Sequence, residues 1–214
     1  LKQALDTPSN VHATFNPLGN YSGQTYSNGN TNITIVAGSN SHTQFFSTLG
    51  INSGKFYWEI KDGTTASSYT RIGISSENVI SNPSNLEGGG GHVGDDPQSY
   101  SYRNAGEKEN NDSATSYGNT YTNGDILMVA LDMDNYKVYF GKNGTWQDSG
   151  DPTSGSTGTG AAFTVTSGLT YFPAFSIYRA SNGDGAGSMQ CNFGNGYFGT
   201  TAISSAGSNG NGSL

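Results

Sequence analysis

The chain has 214 residues, a formal net charge of −7 and a hydrophobic content of 32%. Its nine Lys and Arg residues are too few and too scattered to neutralise a phosphate backbone, which excludes DNA or RNA as the main partner. No apolar run approaches the ~20 residues that span a bilayer, and no basic-then-apolar signal segment opens the chain, so membrane insertion is not expected.

Aromatic residues and glycine dominate the rest of the composition. The 13 Tyr and 10 Phe predict a core rich in aromatic rings. The 32 Gly, together with abundant Asn, Ser and Thr, predict frequent turns. Charged residues make up only 12%, where about 25% is usual. This composition is typical of an extracellular or virion surface protein that neutral polar groups keep soluble.

The first third of the chain begins without regular periodicity. Residues 1–30 contain Pro8, Pro17 and many turn residues, which predicts an extended N-terminal segment that packs on the folded domain. Apolar residues that alternate with polar ones then predict four strands, at residues 31–37, 42–49, 55–60 and 69–75. The third of these is expected to end at Asp62-Gly63.

A long irregular stretch follows between Ser76 and Gln98. It contains two prolines and four consecutive glycines, and we interpret it as a loop. Loops of this length in compact domains are more often functional than idle. Short strands are then predicted at residues 100–103 and 117–121, with a charged loop at 107–113 between them.

Residues Gly124 to Gly144 form the clearest hairpin. Ile126–Leu131 is apolar at both side-chain parities, so this strand is expected to be covered on both faces. A period of two from Tyr136 to Phe140 predicts its partner strand. Asp134-Asn135 and then Asn143-Gly144 are residue types that tolerate the positive φ angles of tight turns.

The remainder of the chain completes an antiparallel sheet structure. After an irregular stretch at 144–160, strands are predicted at 161–165, 171–178 and 188–193. No segment has helical periodicity over three turns, and short strands with Gly/Asn turns predict an all-β sandwich of two antiparallel sheets. We assign it to residues 31–200, and residues 201–214 to a flexible linker or tail.

The order of these motifs resembles the SPRY domain family. The resemblance covers roughly residues 30–200 and rests on seven segments in the family's order, at residues 54–60, 71–74, 100–102, 124–132, 138–144, 172–176 and 191–194. It implies a concanavalin-like jelly roll and a non-enzymatic module, without cofactor, that binds peptides or proteins through loops at one end of the sandwich. The sequence departs from the residues that are usual in the family at Tyr100, Tyr102 and Tyr178-Arg179. The resemblance therefore does not imply that this chain binds the family's ligands.

Three flanking segments also look like SPRY-bearing structural proteins of tailed bacteriophages, namely residues 6–10, 15–18 and 150–153. This likeness implies a place on the virion surface, in a tail fibre or capsid. The expected partner is a host surface glycan or protein, with neighbouring virion domains or further copies of the chain as additional partners.

Aromatic and charged residues near strand ends are the candidate ligand contacts, because aromatic rings stack on sugars and peptides and Arg adds planar hydrogen bonding. Tyr69, Trp146, Tyr178 and Arg179 come first. Arg103, Glu107 and Lys108, at one loop end, are further candidates. For each, the alternative is packing on its own loop.

Other chemistry has simpler explanations. Asp132 and Asp134 share the spacing of glycosidase carboxylates, but a turn and a backbone cap explain them better. Asp95 with Asp96, and Asn182 with Asp184, offer too few oxygens for calcium, so turns are expected there.

Two further residue types suggest no site. His12, His42 and His92 lie far apart in the sequence without metal-ligand spacing. Cys191 alternates with apolar residues, so we expect a buried strand thiol.

Three functions follow from the sequence. The first is a non-catalytic recognition or decoration module of a phage structural protein. The second is a structural spacer that joins domains or protomers of a fibre or capsid. The third is a glycan-cleaving enzyme on the same fold.

Overall fold

The computed structural model describes residues 11–18, 24–36, 40–64, 69–82, 91–179 and 186–203. These ranges contain sixteen strands, the four-residue helix α1 (Glu77–Ile80), and two short 3₁₀ turns at 147–149 and 155–157. Two antiparallel sheets enclose a common core, and a two-stranded ribbon lies beside them. The predicted all-β, two-sheet antiparallel sandwich is confirmed. No helix in the described ranges is long or apolar enough to cross a bilayer.

One sheet has eight strands. They are β1 (Gln24–Ser27), β2 (Asn32–Ile35), β4 (Lys55–Thr64), β9 (Ile126–Asp132), β10 (Lys137–Lys142), β11 (Thr145–Trp146), β12 (Phe163–Thr164) and β14 (Gly187–Asn192). The order is β1-β2-β14-β4-β9-β10-β11, and β12 also pairs with β10. β9 is therefore an inner strand. Its residues Leu127–Leu131 are buried at both parities, as predicted.

The other sheet has six strands. They are β3 (Ser41–Phe46), β5 (Thr70–Ser76), β6 (Ser99–Arg103), β7 (Glu107–Asn110), β8 (Ser113–Ser116) and β13 (Tyr171–Arg179). The order is β3-β13-β5-β6-β7-β8. The ribbon consists of β15 (Tyr197–Phe198) and β16 (Thr201–Ala202).

Aromatic rings fill the space between the sheets, as the composition predicts. Phe175 stacks on Phe45 with ring centroids 4.6 Å apart, and Phe15 meets it edge-on at 5.2 Å. Tyr102 of the six-stranded sheet stacks on Phe140 of the other at 5.8 Å. Phe15, from the N-terminal segment, thus belongs to the core of the sandwich.

Three strand predictions were wrong in detail. β4 continues through Asp62-Gly63 to Thr64, because Gly63 lets the backbone approach Ser188 more closely than a Cβ would allow. The predicted charged loop at 107–113 is mostly strand β7 and its turn. The predicted strand at 117–121 is irregular, although Tyr117 and Tyr121 are buried in the core. In addition, β1 lies within the predicted extended segment.

The two hairpin turns differ from each other. Asn143 and Gly144 have φ angles of 48° and 82°, so the second turn has the predicted positive φ angles. In the first turn the residue with positive φ is Tyr136, at 57°, and neither Asp134 nor Asn135 needs it. Cys191 is a free, buried thiol in β14, which confirms that prediction.

Candidate functional site

The outer face of the six-stranded sheet, on the side away from the core, carries a row of polar side chains. Ser176 of β13 pairs with Gln44 on one side and with Arg71 on the other, and Arg71 in turn pairs with Arg103. Alternate residues of these strands, such as Phe45, Ile72 and Phe175, belong to the core. Because successive side chains of a strand point to opposite faces, the polar row lies on the outer face.

Buried charges on this face are organised around Glu109. Its Oε2 lies 2.6 Å from Nε of Arg71, and its Oε1 lies 3.6 Å from Nη1 of Arg103 and 3.4 Å from Nε2 of His92. The side chains of Glu109 and Arg71 are only 4% and 7% exposed. Arg103 also pairs with Glu107 at 3.2 Å. Burial alone would raise the pKa of Glu109, but His92 and Arg71 outweigh burial and lower the pKa to about 2. The carboxylate is therefore charged at neutral pH.

Two histidines meet on the same face. The rings of His42 and His92 lie 4.8 Å apart, and Tyr178 meets His42 edge-on at 5.1 Å. His42 and His92 lie far apart in the sequence, and the sequence therefore suggested no shared site, but residues 91–98 pack on the sheet and bring the two rings together. Burial, aided by the charge of Arg71, lowers the pKa of His42 to about 3, so its ring is neutral at neutral pH. His12 lies elsewhere, where its Nδ1 is 3.0 Å from the carbonyl oxygen of Phe193.

Residues 91–98, here called the covering segment, lie against part of this face. The amide of Val93 donates to Oγ of Ser176 at 3.1 Å, and the amide of Gly94 donates to Oγ of Ser99 at 2.8 Å. Val93 is completely buried and packs with Phe46 and Ala174. The prediction of a loop over 76–98 is thus wrong for residues 77–80, which form α1, and its described final part, residues 91–98, is packed onto the sheet.

The two aspartates of the covering segment accept backbone hydrogen bonds within a turn, as expected. Oδ2 of Asp95 accepts the amide of His92 at 2.7 Å, and the carbonyl of Asp96 accepts the amide of Ser99 at 3.1 Å. The pKa of Asp95 is raised, chiefly by burial. Asn182 and Asp184 lie outside the described residues.

Several buried polar atoms on the outer face have no hydrogen-bond partner among the residues that the structure describes. They are both side-chain amide atoms of Gln44, Nη1 of Arg71, Nδ1 of His42, Nε2 of His92 and Oγ of Ser101. Buried polar atoms are almost always hydrogen-bonded. Unused hydrogen-bonding capacity is therefore concentrated at this face.

Four of the seven predicted contact residues meet here. Tyr69 and Tyr178 are edge-on neighbours with centroids 6.2 Å apart, and the amide of Tyr178 donates to the carbonyl of Tyr69 at 3.0 Å. Tyr69 is 57% exposed. Arg103 and Glu107 lie on the same face, two and three strands away from Tyr178. The face therefore carries the exposed ring of Tyr69, the partly buried ring of Tyr178 and charges of both signs.

The other three predicted residues are elsewhere. Nζ of Lys108 donates to the carbonyl of Ala162 at 2.9 Å and lies over two aromatic rings on the core side. Arg179 is buried, and its Nε donates to the carbonyl of Val36 at 2.9 Å. Trp146 belongs to the eight-stranded sheet, where its ring meets that of Tyr57 edge-on with centroids 6.0 Å apart.

Sequence reasoning missed His42, His92 and Glu109 as parts of the site. They belong to three separate segments that only tertiary folding brings together. The sequence contained one signal. Arg71 is the only charge in the strand Thr70–Ser76, whose other residues are apolar or small, and a charge in such a strand requires a buried partner.

The aspartate pair of the hairpin has the predicted structural role. Oδ1 of Asp132 accepts the amides of Asp134 and Asn135 at 3.1 and 3.0 Å, and its Oδ2 lies 3.0 Å from Nζ of Lys55. Oδ1 of Asp134 accepts the amide of Gly54 at 2.9 Å. Both carboxylates are engaged in holding the hairpin and the neighbouring turn.

Comparison with known proteins identifies a family and similar solved structures. The family model for the SPRY domain matches residues 55–195, more than half of the chain. The crystal structure of the SPRY domain of human HERC1 is similar with a TM-score of 0.56 and 19% identity, over 78% of this chain and 91% of that chain.

A stonustoxin structure is similar with a TM-score of 0.59 and 19% identity, over 85% of this chain but only 27% of that chain. The present chain thus spans about a quarter of the toxin chain, and these identities show the fold alone. No curated protein matches the sequence.

Proposed function

Because the chain belongs to the SPRY domain family, we propose that it is a non-catalytic recognition module that binds a protein partner through the outer face of the six-stranded sheet and the loops around it. One observation carries this proposal. The face combines the exposed ring of Tyr69 with the partly buried side chains of Tyr178, Arg103 and Glu107, above a buried layer of charges. Tyr and Arg are the residue types that contribute most binding energy at protein interfaces.

The buried layer favours binding because it holds the surface groups in place. Arg103 is fixed by Glu107 at 3.2 Å and by Glu109 at 3.6 Å, and Glu109 is itself held by Arg71. Side chains that are already ordered lose less conformational entropy when a partner binds. Charges of both signs suit a peptide or protein surface better than a neutral glycan, which would use mainly the two tyrosine rings.

We further place this module on a phage virion, in a tail fibre or capsid, where its partner would be a host surface protein or glycan. The support is the resemblance of residues 15–18 and 150–153 to phage structural proteins, together with the low charge content of 12%. The third such segment, residues 6–10, lies outside the described residues. Competition by the isolated chain for adsorption of the parent particle to its host tests this placement, and adsorption that is unaffected at saturating chain concentration would contradict it.

The recognition surface is tested by ligand selection followed by substitution. The chain is screened against a displayed random-peptide library and an array of bacterial surface glycans. We expect a peptide ligand whose affinity falls at least tenfold in Tyr69→Ala and in Arg103→Ala. Tyr136→Ala is the matched control, because Tyr136 is also exposed, at 37%, but lies on the hairpin of the other sheet.

Other outcomes of the same screen distinguish the alternatives. Selection of glycans alone would replace the protein partner by a sugar, and release of reducing ends from those glycans would indicate an enzyme. Absence of any ligand, combined with self-association of the chain, would favour the structural spacer. Equal losses in the Tyr69 and Tyr136 variants would place the binding surface elsewhere.

A further inference from the structure

We propose that His92, Glu109 and Asp112 form a binding site for a divalent transition-metal ion of the zinc type. Each residue offers one donor atom, and the three atoms lie within 4.8 Å of one another. Nε2 of His92 is 3.4 Å from Oε1 of Glu109 and 3.9 Å from Oδ1 of Asp112. Two ligands of a tetrahedral zinc ion lie about 3.4 Å apart. The donors therefore stand close to the spacing that the ion requires.

The backbone, rather than long flexible side chains, brings these donors together. His92 is in the covering segment, Glu109 is in β7, and Asp112 is in the turn between β7 and β8. The amide of Asp112 donates to the carbonyl of Gly94 at 3.0 Å, which ties the turn to the covering segment. Gly94 has a φ of 106°, and a Cβ there would lie 2.6 Å from Oγ of Ser101, so glycine permits this close approach.

An independent observation points to a ligand at this position. Among the described residues, Nε2 of His92 makes no well-formed hydrogen bond: Oε1 of Glu109 lies 3.4 Å away, although His92 is only 8% exposed. A buried imidazole nitrogen normally has a partner, and a metal ion would supply one. The side chain of Asp112 is 78% exposed, so an ion can reach the site from solvent. The ring of His42 lies 4.8 Å away, and its Nδ1 is a second nitrogen that has no hydrogen-bond partner in the described part of the chain.

Arg71 orients the central carboxylate for this role. Its Nε holds Oε2 of Glu109 at 2.6 Å, so Oε1 is the oxygen that faces His92. Outer partners of this kind fix the orientation of metal ligands. Arg103 acts in the opposite direction, because its Nη1 lies 3.6 Å from Oε1 and competes with an ion for that oxygen. Removing the charge of Arg103 should therefore strengthen metal binding.

The donor set selects the class of ion. One imidazole nitrogen and two carboxylate oxygens suit zinc and its transition-metal neighbours, whereas calcium takes six to eight oxygens. Water would complete the coordination shell. The ion would link the covering segment to β7 and its turn. This inference does not depend on partner recognition, so either can fail while the other stands.

The test is a calorimetric titration of Zn²⁺ into the full chain, prepared without a histidine tag and stripped with a chelator. We expect one site per chain. Asp112→Asn and His92→Gln should each weaken binding at least tenfold, and Arg103→Gln should tighten it severalfold. Asp112→Asn is the decisive variant, because this exposed side chain can be changed without disturbing the fold.

Two control variants exclude adventitious binding. His12→Gln changes a histidine far from the site, and Asp148→Asn changes an exposed acid near β11, so both should bind like the wild type. The proposal is overturned if the wild type binds no stoichiometric Zn²⁺, or if Asp112→Asn binds as tightly as the wild type. Unchanged affinity in Arg103→Gln would contradict the assignment of Oε1 of Glu109 as a ligand.

Discussion

Replacing Arg71 by Met should destabilise the protein by about 3–5 kcal/mol, because the change leaves the carboxylate of Glu109 buried without its closest partner. The two groups are 2.6 Å apart, and their side chains are 7% and 4% exposed, so little water can compensate for the loss. Domains of this kind unfold at a cost of roughly 5–15 kcal/mol, so the variant should remain folded with a greatly reduced margin. Urea denaturation at pH 7 with a chelator present measures the difference.

The double variant Arg71→Met/Glu109→Met distinguishes a buried pair from two independent contributions. Replacing both charges by apolar groups removes the uncompensated charge, so most of the lost stability should return. Lys55→Met is the control. Lys55 also pairs with a buried carboxylate, Asp132 at 3.0 Å, but the Lys55 side chain is 52% exposed and Asp132 keeps the hydrogen bonds from the amides of Asp134 and Asn135. Removal of this exposed ammonium should cost far less stability than removal of Arg71. A loss below 1 kcal/mol for Arg71→Met, or strictly additive losses in the double variant, would refute the reasoning.

Three further predictions concern the sandwich itself. Phe175→Ala should cost about 3–5 kcal/mol in urea denaturation, because the ring is fully buried and stacks on a second phenylalanine 4.6 Å away; a loss below 1 kcal/mol would contradict the described core. Burial alone would raise the pKa of Asp132, but hydrogen bonds from the following turn and from Lys55 outweigh burial and hold the pKa below its ordinary value. Asp132→Asn should therefore cost roughly 1–2 kcal/mol at pH 7. Stability from a carboxyl with a lowered pKa is complete above its unfolded value of about 3.9 and is lost as the pH falls through the folded value, so the difference from wild type should shrink towards pH 2. A difference that is constant from pH 7 to pH 2 would argue against this role. Burial raises the pKa of the Cys191 thiol well above its usual range, so the native protein at pH 8 should react with a thiol reagent only after urea is added; rapid reaction of the native protein would contradict its burial.

The strand framework could be predicted because its signal is local. Alternation located the strands that begin at Lys55 and Thr70, and the doubly apolar run of β9 indicated an inner position in a sheet. The role of Asp132 as a cap also followed from its neighbours in the chain. The resemblance to the SPRY family rested on the same segments.

The candidate site could be predicted only in part, because its geometry depends on long-range pairing. β7 was mistaken for a loop since its residues Glu107–Asn110 are polar at every position. That polarity is explained by the structure, in which Glu109 meets the buried Arg71 from a strand two positions away. Nothing local to residues 91–98 indicated that His92 would lie over β3. The residue type, aromatic or charged, identified Tyr69 and Arg103 as candidates. It could not separate them from Lys108 and Arg179, whose side chains stabilise the fold.

Hydroxyl-radical footprinting of the solvent-accessible tyrosines tests the central claim most directly. When the chain is saturated with its selected ligand, oxidation of Tyr69 and Tyr178 should fall several-fold, while oxidation of Tyr136 on the other sheet should not change. Protection of Tyr136 with Tyr69 left fully reactive would show that the ligand binds away from the outer face of the six-stranded sheet.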